Sequence, residues 1–148
     1  MDDIISKFKT PQECIEFAEK CTNLAHKAYL RAIELRILTH GEKNEVEKEL
    51  LKAIYAYEEV LSQKNKRRTR ASRTWQMVKR YGIIEAAEKA VNRRTDAMGY
   101  RLLVEMGLQD LTFESVIVRF PKVFSPQIVT LAKSKLAELK GAKSHETY

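Results

Sequence analysis

Glycine and proline are scarce in this chain of 148 residues, with five of one and three of the other. Glycine loosens regular backbone and proline removes an amide donor, so their rarity predicts long elements joined by short loops. Cysteine is scarcer still, at Cys14 and Cys21 only. That excludes a disulfide-stapled secreted scaffold. Along one helix the two lie about 10.5 Å apart, too far for a bridge, so both are expected to be reduced residues of the core. No apolar run approaches the roughly 18 residues that suggest a membrane span. The opening MDDIISKF also lacks the basic-then-apolar layout of a secretion signal. The expectation is a cytoplasmic protein with no membrane partner.

Recognisable chemistry is absent too. A zinc site needs about four converging ligands, usually announced by close pairs. Here the cysteines have no CxxC partner and His26, His40 and His145 are scattered. No serine sits in a GxSxG elbow and no glycine-rich phosphate loop occurs. No metal and no cofactor are therefore expected. Among the carboxylates, the adjacent Glu58 and Glu59 read as a solvated helix face. Glu85 and Glu88, one turn apart, are the one pair that would suit an enzyme. A structural reading competes with that one: Glu85 falls in a first helical turn, where negative charge stabilises the macrodipole, and Glu88 can pair with nearby cations.

What the chain does contain is helix. With 44% apolar and 32% charged residues it belongs to the soluble globular class, and a chain of this length can bury roughly 70% of its extended surface. Thr10-Pro11-Gln12-Glu13 supplies a cap hydroxyl, a first-turn proline and a reciprocal glutamate, so a helix is expected from Pro11. Its apolar stripe is Cys14, Phe17, Ala18, Cys21, Leu24, Ala25 and Ala28. Thr22-Asn23 is a second cap candidate, so residues 11–39 read as one long helix or two shorter ones, with a break there favoured. His40-Gly41 closes the unit. Asn44-Glu45-Val46-Glu47 opens a helix to about Ser62, with Val46, Leu50, Ile54, Tyr57 and Leu61 as its stripe. Asp96 caps a helix closed by Gly107. In LTFESVIVRFP the β-branched residues suggest a strand, but Phe113, Val116, Ile117 and Phe120 follow helical spacing between Thr112 and Pro121. Ser125-Pro126 starts a last helix to Gly141. The sum is an all-α compact bundle of about seven helices, a single domain over residues 1–141 with a frayed tail at 142–148.

Charge is the one uneven property. Of the net +7, the segment KNKRRTRASRTWQMVKR contributes eight cations and no carboxylate. A local concentration of one sign creates a binding field. Lys64, Lys66, Arg67, Arg68 and Arg70 are too densely like-charged for an unpaired helix, so this part is expected as an extended arm or exposed loop. The following residues place Trp75 and Val78 inward and Arg73, Gln76, Lys79 and Arg80 outward, and arginine and glutamine are side chains that fork onto bases and phosphates. RTWQMVKRYGI resembles the recognition helix of the DNA-bending factor-for-inversion-stimulation group, which tends to end in a basic pair, an aromatic residue and Gly followed by an apolar residue. The resemblance covers about a dozen residues and implies a helix-turn-helix-like element around 70–93. It departs upstream, where a long helix replaces the short helix and tight turn of that group.

Nucleic-acid binding is the expected function, DNA before RNA because no ribonucleoprotein-type sheet is foreseen. Arg93 and Arg94 would extend the patch, and a homodimer would pair two half-sites. Two other classes remain open: a helical interaction module or regulatory subunit docking an acidic partner, and an enzyme built on Glu85 and Glu88.

Overall fold

The computed structural model describes residues 3–93 and 96–145 and is helical wherever it is regular. Its eight α-helices are α1 (Asp3–Ser6), α2 (Pro11–Ile37), α3 (Glu45–Asn65), α4 (Ser72–Tyr81), α5 (Ile83–Val91), α6 (Ala97–Glu105), α7 (Phe113–Arg119) and α8 (Pro126–His145). A single 3₁₀ turn, Leu38–His40, follows α2. The helix beyond the expected seven is the four-residue α1. Among the described residues no helix is long and apolar enough to cross a membrane.

The start signals act as their chemistry requires. Thr10 accepts from the Glu13 amide at 3.2 Å. Asn44 and Glu47 complete a reciprocal capping box on α3. Thr112 accepts from Ser115 at 3.0 Å, and the LTFESVIVRFP segment is the helix α7. The final helix runs through Gly141 as far as His145. Of the segment read as a tail, 146–148 lie outside the described residues.

Helix α3 is the axis of the bundle. Its first half, through Leu50 and Ala53, packs with Ala87 and Val91 of α5, Val116 and Ile117 of α7, and Ile128 and Ala132 of α8. Its second half, through Tyr55, Ala56 and Val60, packs with Ile33 and Ile37 of α2 and with Leu103, Met106, Leu108 and Leu111. The central stretch from Leu50 to Val60 is buried on most of its faces, which is what a helix enclosed on several sides requires. After α6 the chain reverses at Gly107, where φ is +72° and an added Cβ would lie 2.4 Å from the His26 ring. Glycine is demanded there twice over, by backbone conformation and by space.

Helix α2 departs from expectation in two ways. It is unbroken at Thr22-Asn23, because the Thr22 hydroxyl donates to the Ala18 carbonyl at 3.0 Å instead of capping a new start. The stripe assigned to the core is also not covered. Cys14, Ala18, Cys21, Leu24, Ala25 and Ala28 are exposed, and Phe17 is half-buried against the Phe8 ring at 5.2 Å. The face turned to the bundle carries His26, Tyr29, Ile33 and Ile37. Both cysteines are free but exposed. Twenty-seven residues make a rod of about 40 Å, and only its C-terminal part has a core to rest on.

Two substitutions test this account. Leu50→Ala, at a fully buried position, is expected to cost about 2–5 kcal/mol in urea unfolding. Thr22→Ala is expected to be neutral or stabilising by a few tenths of a kcal/mol, whereas loss of a true cap costs about 1 kcal/mol.

Candidate nucleic-acid interface

The basic segment is a short loop, 66–71, exposed except at Thr69 and the buried Ala71, followed by α4, and it is held far more firmly than an extended arm. Lys66 ends α3 in the left-handed conformation, φ +54°, with its amide donating to the Ser62 carbonyl. The Thr69 amide donates to the Ser62 hydroxyl at 2.9 Å, and Asn65 donates to the Thr69 hydroxyl at 3.2 Å. These bonds fold the loop back along α3.

Beneath the loop lie the two carboxylates that the sequence presented as a solvated face. Glu58 and Glu59 are each only 5% exposed. Glu59 accepts from both terminal nitrogens of Arg68, at 2.7 and 3.3 Å, and from Arg36 of α2 at 2.8 Å. Glu58 accepts from the Ala71 amide at 2.9 Å and from the Trp75 indole at 2.7 Å, with Arg70 at 3.8 Å. The indole stacks on His40, with ring planes 16° apart, and tilts against Tyr55 at 5.3 Å. His40 Nε2 in turn shares a 2.6 Å hydrogen bond with the Tyr55 hydroxyl. Burial, and then the charge of Lys43, lower the His40 pKa.

Electrostatics follow from this clamp. Burial alone would raise the Glu59 carboxyl, but the hydrogen bonds and charges of Arg68 and Arg36 outweigh it and hold the pKa below the ordinary value. The same hydrogen bond to Glu59 raises Arg68. Both groups stay charged and paired at neutral pH.

The segment's eight cations thus divide. Lys64 pairs with Asp96 at 3.0 Å, and Arg68 and Arg70 serve the clamp. Among the described residues no carboxylate pairs with the other five, Lys66, Arg67, Arg73, Lys79 and Arg80, and all five are exposed. On α4, Thr74 is buried and Trp75, Met77 and Val78 are half-buried, while Arg73, Gln76, Lys79 and Arg80 face outward. Arg80 lies over the Tyr81 ring. Arg93 Nη2 is 3.2 Å from the Met77 sulfur, which brings that cation beside α4. Arg94 lies outside the described residues.

The carboxylates singled out for catalysis do not converge. Glu85 is 4.0 Å from Lys89, and Glu88 accepts from the Ser125 amide at 3.1 Å, just ahead of α8. Neither lines the cavity of about 200 Å³ where Tyr57, Tyr100, Arg93 and Glu114 meet. There burial pushes the Glu114 carboxyl up, opposed by the nearby Lys135. Among the described residues no cluster of three or more His, Cys, Asp or Glu side chains is arranged to hold a metal.

The residues that sequence reasoning missed are Glu58, Glu59 and Arg36. One signal was present, since Leu50 to Val60 is apolar on nearly every face, which implies enclosure for whatever else the stretch contains. No protein-family model, no curated protein and no solved structure matches this chain.

The depressed pKa of Glu59 fixes the sign of a pH effect. Its contribution is complete above the unfolded carboxylate value of about 4.3 and is lost as pH falls through the lower folded value. Glu59→Gln is therefore expected to cost about 1–3 kcal/mol at neutral pH. The gap from the wild type in urea midpoint should close as pH is lowered through the depressed folded value of that carboxyl. Glu58→Leu strips two donors of their acceptor at once, and a loss of at least about 2 kcal/mol is expected. Emission from Trp75, the single tryptophan, should shift to the red in this variant.

Proposed function

We propose a cytoplasmic nucleic-acid-binding protein that lays duplex DNA along the surface formed by Lys66 and Arg67 of the loop and Arg73, Gln76, Lys79 and Arg80 of α4. One observation carries the reading: five exposed cations with no carboxylate partner among the described residues, mounted on backbone that a buried clamp holds in place. Charges fixed in advance lose little freedom on binding, so more of their attraction appears as affinity. The ten residues of α4 extend about 15 Å, which matches the run of about four phosphates on one strand. Arg93 enlarges the surface from α5's end.

Arg68 and Arg70 have a different part. They hold the loop against α3 and leave phosphate contact to their neighbours. Helix α4 is the reading helix of the proposal, with Gln76 and the flanking arginines turned to the groove, and α5 follows it directly through Gly82 at φ +84°. Duplex DNA is preferred to RNA because the surface is helical and its one half-exposed tryptophan is engaged by His40, Tyr55 and Glu58 instead of being offered to a base. A homodimer is the assembly in which two such surfaces would meet two half-sites.

Neutralising about five phosphates gives an expected slope of roughly −4.5 for log affinity against log salt on duplex DNA, and roughly −3.5 on a single strand. Reversing Arg67, Arg73, Lys79 and Arg80 together to glutamate should abolish binding while the helical circular-dichroism spectrum is retained. A slope near zero overturns the proposal, as does a quadruple variant that still binds duplex. An acidic protein released from the wild type by that same charge reversal would place the surface in the interaction-module class instead.

A further inference from the structure

The uncovered face of α2 has a regular period. Cys14, Phe17, Cys21, Leu24, Ala28, Arg31, Leu35 and Leu38 follow one another at alternating intervals of three and four, and seven of the eight are apolar. That is the a/d seam of a two-stranded coiled coil, sustained for about three and a half heptads. Leu24 is 55%, Leu35 48% and Leu38 71% exposed. Leu38 lies just past the end of α2 in the right-handed helical conformation, so the seam continues through it. At about 100° per residue the seam lies on the side of α2 opposite Ile33. His26, Tyr29, Ile33 and Ile37 face the bundle, and the seam therefore points away from it, with Phe17 alone partly covered, by the Phe8 ring.

We infer that this face closes on α2 of a second copy, in an antiparallel pair centred on His26. In that register Cys14 meets Leu38 of the other copy, Phe17 meets Leu35, Cys21 meets Arg31 and Leu24 meets Ala28, each contact occurring twice about the two-fold axis. The whole stretch from residue 14 to residue 38 is used, about 37 Å of helix. At the centre, leucine fills the space left by alanine. Lys20 and Glu34, which flank the seam at equivalent heptad positions, come within one turn of each other across the interface and attract. Lys27 faces its own copy near the axis, one repulsion against two attractions.

Charge decides between orientations. A parallel, in-register pair sets Arg31 against Arg31 within the seam and Ala28 against Ala28, joining like charge to an underfilled layer. The antiparallel pair separates the two arginines by ten residues, about 15 Å, beyond most screened repulsion. Cysteine geometry also distinguishes the two. Parallel packing would bring Cys14 to Cys14 within disulfide reach, whereas antiparallel packing keeps Cys14 about 36 Å from its copy and Cys21 about 15 Å from its copy.

The inference is independent of nucleic-acid binding and is tested without it. Sedimentation equilibrium of the full chain at about 100 μM, where even a micromolar Kd leaves mostly dimer, should return twice the chain mass of 17.2 kDa. Leu24→Glu buries a charge in the central layer of both copies and should weaken the dimer at least about a hundredfold. Its helical circular dichroism should persist, and Lys66→Glu, away from the seam, should leave the mass unchanged. In a Cys14→Ala, Cys21→Ala background, Leu24→Cys with Ala28→Cys should crosslink two chains on mild oxidation, while the wild type should not crosslink through Cys14. A wild-type monomer at that concentration assigns the face to a different partner and overturns the inference. So does a Leu24→Glu dimer of undiminished strength, or a Cys14 to Cys14 bridge.

Discussion

Two adjacent carboxylates sunk into the side of α3 set the terms for everything around them. Taking one carboxylate out of water costs several kcal/mol unless cations and donors replace its hydration, and here two lie in sequence. Glu58 receives an indole and an amide, with an arginine nearby. Glu59 receives two arginines. The loop after α3 has to bring its cations back to the helix it has just left, and this requirement fixes the left-handed turn at Lys66, the path of the loop and the point where α4 begins. Removing the carboxylates would free the loop. Removing the cations would leave charge in the core with no partner.

The basic segment is consequently part of the protein's own scaffold, and its charge density overstates what would be available to a ligand. Arg68 and Arg70 are spent on the protein itself. What remains on the surface is a smaller field carried by a stiffer support, and in the proposed reading stiffness partly offsets the lost charge, since a phosphate chain would meet cations already in place. Loop residues on firm scaffolding are where recognition usually resides. Here the scaffold is electrostatic as well as apolar.

The sequence was most legible where a local rule decides the outcome. Capping residues marked the starts of α2, α3, α6, α7 and α8, and helical spacing in Phe113 to Phe120 overrode the β-branched composition. Spacing also separated the outward from the inward side of α4. It failed where the answer depends on what lies opposite. The stripe from Cys14 to Ala28 is apolar at the right period, but periodicity reports a face and not its partner, so a seam open to solvent reads like a core. Glu58 and Glu59 failed for the complementary reason. Charged residues on a helix are most often solvated, and only the return of the chain nine to twelve residues later supplies Arg68 and Arg70. Thr22 shows a third limit: a hydroxyl in mid-helix can cap a start or donate one turn back, and composition does not choose between them.

The clamp also ties together the parts of the molecule proposed to meet partners. Glu59 accepts one arginine from α2 and one from the basic loop, so a single buried carboxylate joins the helix carrying the coiled-coil seam to the loop carrying the free cations. Arg36 is the residue after Leu35 of that seam. Pairing of two α2 helices would fix Leu35, and through Arg36 it would restrain the Glu59 carboxylate on which Arg68 rests. The path is three side chains long and wholly electrostatic beyond the backbone. A contact made on one face of α2 would thus be felt as reduced freedom in the loop on the other, by ordering alone and without any change of shape.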